Sequence, residues 1–449
     1  MTVFAGAFGN KRRAEAMERL HDSMVAQSSV VVRRLGGARA GELSAHRVLS
    51  NPSVTPAATL GCFAQRTAAA VAGRRVVAAQ DTTECNFPHR QKAQLGPAGR
   101  GGDTPGFFLH GMVAVDAADE AVLGVVQASI WTRSAAPVAD RRGRDFADKE
   151  AYRWLGAAAA AGQVLAAAAQ IVVVGDRESD IYAVFDGRPG NVELVVRVAQ
   201  DRALAAGGRL FAAPLVALGT QRVQVAPRRI GEAGRAAVVS LSAGAVQVAA
   251  PRNGRRAAGT ARALRLTLVE AVEHDPPPGA TALHWRLLTT LAAGTLAEAQ
   301  DIVGCYRLRW RIEQSFRMLK RDGMQLEDSQ TTDPHRLFNL AALAFGAAVR
   351  VIQLVDARDG SDRPASDAAT EAEIAAAVAL SPTLEGTTER QKNPHPVGNL
   401  AWLAWVVARL GGWNCYYKPP GPKTMRQGWD RFAAIAHGFT LANAIHQNV

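Results

Sequence analysis

Residues 306–320 read YRLRWRIEQSFRMLK. In a continuous helix, Tyr306, Arg309, Glu313 and Lys320 stand at i, i+3, i+7 and i+14, which at about 100° per residue confines them to an arc of roughly 60°. One carboxylate, two cations and a phenol then share one stripe. A carboxylate able to bind a metal, flanked by groups that take phosphate oxygens, suits a phosphodiester held beside a metal ion. The same spacing also describes an ordinary solvated helix face with an Arg309–Glu313 pair at i,i+4. The stretch by itself does not choose between the two.

Two upstream segments bear on that choice. In RRVVAAQDTTE, the apolar run Val76 to Ala79 leads into Asp81, Thr82 and Thr83, and in QIVVVGDRESDIY, Ile171 to Val174 leads through Gly175 to Asp176. Each reads as a buried strand with an acidic carboxyl end. A lone Asp in such a place is more often a turn or capping residue. On an open α/β sheet, however, ligands bind beyond the carboxyl ends of the strands, so adjacent strands would bring Asp81 and Asp176 together. With Glu313 they form a candidate set of three hard oxygen donors, the chemistry that suits Mg²⁺ or Mn²⁺.

With these residues in this order, the chain resembles the hairpin-forming DDE transposases of bacterial insertion sequences, the group marked by a Y-R-E-K signature. The pattern Y-x2-R-x3-E-x6-K is met by Tyr306, Arg309, Glu313 and Lys320, the DTT motif by Asp81, Thr82 and Thr83, and D-R-E-x-D by Asp176, Arg177, Glu178 and Asp180. The similarity extends to GNKRR near the start, AHRVLSNPSVT at 45–55, KEAYRWL at 149–155, LHWRLLTT at 283–290 and ARLGGW at 408–413, with Asn10 standing where the family usually has Asp.

The resemblance implies a ribonuclease H-like core in which Asp81, Asp176 and Glu313 hold two Mg²⁺ or Mn²⁺ ions. It implies double-stranded DNA as partner, both inverted-repeat ends and target, a homodimer in the synaptic complex, and excision through a DNA hairpin. Tyr306, Arg309 and Lys320 would contact phosphate. Trp285 and Trp310 would stand in for an extruded base during hairpin closure, although either could equally be a core residue. Two rival readings share these residues: an inactive DNA-binding regulator, and a metal-dependent nuclease of the same fold.

Composition agrees with a polyanionic partner. Of 449 residues, 52 are Lys or Arg against 40 Asp or Glu, a net charge of +12, although an Arg-rich proteome would give the same balance. The four cysteines, at 62, 85, 305 and 415, form no C-x-x-C pair, which argues against a zinc site and for a reducing compartment. In MTVFAGAFGNKRR the charges follow the apolar stretch, the wrong order for a secretory signal. Leu155 to Val174 is long and apolar but runs into Asp176, so it reads as a buried helix and strand and not as a membrane span. A cytoplasmic, nucleoid-associated protein is expected.

The fold class expected is α/β in three segments. Residues 1–72 form a helical DNA-binding domain, with helices at Lys11 to Met24, at Glu42 to Leu49 and from Thr55 as N-cap with Pro56 at the first helical position. Lys11, Arg12, Arg13 and Arg47 would supply DNA backbone contacts, or simply a solvated surface. Residues 73–355 hold the ribonuclease H-like core, with strands at Val76 to Ala79, Phe107 to Val115, Val122 to Trp131, Ile171 to Val174 and Val192 to Val198. A β-rich insertion at about 201–282 interrupts it, where Arg222, Arg228 and Arg229 would face DNA by resemblance. Residues 356–449 comprise a polar, loop-bearing stretch to about 397, then amphipathic helices at Leu400 to Leu410 and Trp429 to Phe439 that the resemblance assigns to dimerisation.

Overall fold

The computed structural model describes residues 3–88, 95–99, 102, 104–134, 144–225, 235–251, 259–358, 360–416 and 419–446. The elements begin with helices α1 (Lys11–Gln27), α2 (Val32–Leu35), α3 (Arg39–Leu49) and α4 (Pro56–Ala70), then strands β1 (Arg75–Asn86), β2 (Gly96–Ala98), β3 (Thr104–Asp116) and β4 (Val122–Trp131). Next come α5 (Tyr152–Val164), β5 (Gln170–Gly175), α6 (Tyr182–Gly187), β6 (Glu193–Arg197), β7 (Val216–Val225), β8 (Arg235–Ala249), β9 (Ala263–Glu273) and β10 (His284–Thr289). Helices α7 (Leu296–Arg307), α8 (Trp310–Lys320), α9 (Pro334–Ala357), α10 (Glu371–Leu384), α11 (Leu400–Leu410) and α12 (Pro422–His446) follow. This mixed α/β architecture is compatible with a ribonuclease H-like core.

The chain forms two compact units, one of Met1–Ala72, Thr82–Ala135 and Arg311–Val449, the other of Gly73–Asp81 and Ala136–Trp310. They cut the chain differently from the three segments drawn from the sequence. Strand β1 is divided after Asp81, and α8 after Trp310.

In the first unit, side-chain caps set the helix starts. Asn10 accepts from the backbone N–H groups of Arg12 and Arg13 and so opens α1, a role in which Asn and Asp are equivalent. Thr55 Oγ1 accepts from Ala58 N–H, with Pro56 at the first helical position of α4. Lys11, Arg12 and Arg47 are exposed, whereas Arg13 is half-buried and donates to the Phe8 carbonyl at 2.9 Å.

Helix α9 is long and apolar enough to cross a membrane by length and composition, yet 89% of its apolar window is buried inside the protein. Helices α1, α4, α11 and α12 and strand β4 pack on it. It carries a buried cation: Arg350 reaches the Glu373 carboxylate at 2.9 Å and lies 4.6 Å above the Trp429 ring. A charge so enclosed is tolerable only with its partner, since breaking such a pair costs about 3–5 kcal/mol.

Residues 356–397 were expected to be loop-bearing. Instead α10 forms there, opened by a capping box in which Thr370 and Glu373 satisfy each other's backbone N–H groups. Its fully buried residues are the small Ala376, Ala377 and Ser381, with Ile374, Leu380 and Leu384 only half-buried, so no strong apolar periodicity marks the helix in the sequence.

Where α11 and α12 cross, the backbones approach so closely that a Cβ added at Gly428 would lie 1.7 Å from the Val407 carbonyl oxygen. Gly428→Ala should therefore destabilise the protein by about 3 kcal/mol, because neither neighbour is a movable side chain. Thermal unfolding of the variant checks this, and an unchanged midpoint would mean the crossing relaxes freely.

The second unit is built on a mixed sheet in the strand order β1-β5-β6-β10-β9-β8-β7. Strands β1, β5 and β6 run parallel, and β6, β10, β9, β8 and β7 pair antiparallel. The parallel strands are continuous apolar runs, with Val76 to Ala79 and Ile171 to Val174 all buried, as sheets covered on both faces require. Helix α7 packs against β5 to β8 and α5 against β5. Arg75, at the start of β1, makes a two-pronged ion pair with Asp301 of α7.

Candidate active site

Parallel register aligns the carboxyl ends of the first two strands. The last pair of β1 and β5 is Ala79 with Val174, so Asp81 and Asp176 each lie two residues beyond it, on strands about 4.8 Å apart. The sequence reading ended both strands at their acids. For β5 this holds, but β1 continues to Asn86. Asp81 is thus a mid-strand residue at the point where β5 stops, and burial falls from complete to partial there.

Asp176 caps the short 3₁₀ turn Arg177–Ser179, accepting from Glu178 N–H at 2.8 Å. Gly175 is required for that turn: an added Cβ would lie 2.2 Å from Ser179 Oγ. Two other residues of the D-R-E-x-D motif make ion pairs within the fold. Glu178 pairs with Arg153 at 2.9 Å, which accounts for part of KEAYRWL. Asp180 is buried, accepts from Ala199 and Gln200 N–H, and pairs with Arg202 at 2.7 Å.

The expected single helix through 306–320 is interrupted. Helix α7 ends at Arg307 and α8 begins at Trp310, because Leu308 and Arg309 donate to carbonyls three residues back, Cys305 and Tyr306. Tyr306 and Arg309 therefore precede the helix that carries Glu313 and Lys320. Arg309 Nη1 lies 3.1 Å from Asp81 Oδ2, and its guanidinium is 6.0 Å from the Tyr306 ring centroid. Burial pushes the Tyr306 phenol up, with Arg309 and Arg197 beside the hydroxyl opposing the rise. Trp285, half-buried on β10, meets Tyr306 edge to face at 5.3 Å. Trp310 is 41% exposed; neither tryptophan is a core residue. Nearby, burial pushes the Cys305 thiol up to about 11.

Arg197 was missed. It ends β6, one residue past the pairing of Gly175 with Val196, so Asp81, Asp176 and Arg197 each follow closely where the parallel pairing of β1, β5 and β6 stops. The signal was available: it is the charge closing the third apolar run.

In the first unit, Glu313 sits in the first turn of α8 and Lys320 in its last. Lys320 Nζ donates to the Glu84 carbonyl at 2.5 Å and pairs with Glu327 at 3.1 Å. Thr82 Oγ1 contacts His110 Nδ1 at 2.9 Å. Arg222 is exposed on β7, whereas Arg228 and Arg229 lie outside the described residues.

Residues 163–350 match the family described as Transposase DDE domain. The match supports a DDE transposase, a class of polynucleotidyl transferase that binds DNA and uses divalent metal ions. It takes in Asp176, Glu313 and the whole 306–320 stretch but begins downstream of Asp81, so Asp81 enters the site through its register with β5. The donor set fits such an ion, since the two carboxylates, each two residues past the last β1–β5 pair, are hard oxygen ligands.

Asp176 and Asp180, four residues apart, should separate cleanly by stability. Asp180→Asn should cost about 3 kcal/mol, because it breaks a buried ion pair. Asp176→Asn, in chelator-treated buffer, should stay within about 0.5 kcal/mol of the parent, because Asn caps as well as Asp. Thermal unfolding of both variants decides; equal losses would make Asp176 structural too.

Proposed function

We propose that this protein is a cut-and-paste DNA transposase that excises its element through a hairpin intermediate and joins it to target DNA. The observation that supports this reading is the register of β1 with β5, in which Asp81 and Asp176 each lie two residues past the last pair, within a chain whose 163–350 segment matches a transposase DDE domain. The proposed ligands are Asp81, Asp176 and Glu313, for two Mg²⁺ or Mn²⁺ ions. Such ions, when bound, activate a water or 3′-hydroxyl for in-line attack and stabilise the leaving oxygen.

The chain's own groups then have separate tasks. The two aspartates fix the reacting phosphate by orienting its counter-charge, while Arg309, Lys320 and the Tyr306 hydroxyl take non-bridging oxygens. Lys11, Arg12, Arg13 and Arg47 contribute salt-dependent backbone contacts that hold the ends. The partner is double-stranded DNA, with two copies of the chain pairing two ends, in the cytoplasm of a bacterium.

Asp81→Ala, Asp176→Ala and Glu313→Ala should each abolish cleavage of an inverted-repeat end, at least a hundredfold in rate by the order of metal-ligand losses. End binding should persist, because phosphate contacts dominate affinity. A gel assay that scores bound and cut DNA separately tests this, and cutting at the parent rate by any variant removes that residue from the site.

Trp285 bears on the hairpin step. It is half-buried and rests on Tyr306, a platform on which an extruded base could be replaced. Trp285→Ala should leave first-strand nicking near normal and depress hairpin closure, and an end lacking the extruded base should partly restore it. A labelled time course separates nicked from hairpin species. Equal loss of both, without rescue, would make Trp285 a purely structural residue.

A further inference from the structure

Asp81 is both a proposed metal ligand and the ion-pair partner of Arg309. The contact is direct, 3.1 Å from Nη1 to Oδ2, and both side chains are largely shielded, 14% and 18% exposed, so it is screened by salt much less than a surface pair. A divalent ion bound to an Asp81 oxygen sits about 2.1 Å from it, hence on the order of 4 Å from the guanidinium, where two like charges repel strongly. The two cations compete for one carboxylate. Arg309 also has somewhere to go: it lies in the break between α7 and α8, outside either helix, beside the Tyr306 hydroxyl.

We propose that Arg309 is a resident counter-ion of Asp81 which a divalent ion displaces, so that loading the ion and releasing Arg309 toward a substrate phosphate are one coupled event. This rests on the functional reading above. By linkage, DNA that captures Arg309 raises the affinity of Asp81 for the ion, and the ion raises the affinity for that phosphate by the same factor.

The test is a Mn²⁺ titration of the full chain without DNA, followed by electron paramagnetic resonance. Arg309→Ala should bind Mn²⁺ about tenfold more tightly than the parent, the scale on which an adjacent arginine changes a carboxylate's affinity for a proton. Arg309→Gln, which keeps most of the bulk, should do the same, and Arg309→Lys should stay near the parent. In an Asp81→Asn background, Arg309→Ala should have no further effect. Unchanged or weaker Mn²⁺ binding by both neutral variants overturns the exchange, and so does equal tightening in the Asp81→Asn background, which would mark a diffuse charge effect. If Asp81→Asn and Asp176→Asn themselves leave Mn²⁺ affinity unchanged, the metal-site reading fails instead, an outcome distinct from either.

Discussion

The parallel pairing of β1 with β5 is the constraint on which the rest of the second unit depends. Pairing from Arg75–Gln170 to Ala79–Val174 leaves no freedom of one residue, because both strands are apolar on both faces and a slip would carry Asp81 or Asp176 into the core. Charged groups therefore appear at the margins of the β1–β5 pairing and not inside it. The same logic extends to β6, where Arg197 follows the last pair with β5. Apolar burial fixes the register, and the register decides which polar groups meet.

The interruption between α7 and α8 is the second consequence of how that unit is built. A continuous helix would carry the 306–320 stripe as one rigid surface. Ending α7 at Arg307 lets Arg309 turn to Asp81 while Tyr306 stays buried against the half-buried Trp285. Helix α7 is anchored at its centre by the Asp301 ion pair to Arg75, on the strand that carries Asp81. Carboxylate, guanidinium and phenol are thus referred to one common support, and catalytic groups need that kind of rigid second layer.

Much of this was legible in the sequence where the signal is local. Thr55–Pro56 names a helix start by capping chemistry alone, and Val122–Trp131 has the bounds its apolar run suggested. What stayed hidden depends on tertiary context. The α7–α8 break contains no Gly or Pro, so periodicity through Leu308 and Arg309 looks intact. The extension of β1 past Asp81 is set by strand partners remote in sequence. Helix α10 was overlooked because its one clear local mark, the Thr370–Glu373 capping box, sits in an Asp- and Ala-rich stretch. Asp180 and Asp176 share a motif, and only the backbone donors and Arg202 around Asp180 tell its structural role from that of its neighbour.

Charge at the carboxyl edge of the parallel strands is close to balanced. Asp81 is paired with Arg309, and Arg197 stands beside Tyr306 at the end of the third parallel strand, so the carboxylates there are accompanied by cations. That balance matters for a substrate that is itself an anion. A site of carboxylates alone would repel DNA, and one of arginines alone would hold phosphate without holding a metal. On the proposed reading, Arg309 would answer the carboxylate in the free protein and the phosphate once an ion is bound, so the ion and the phosphodiester would offset part of each other's charge.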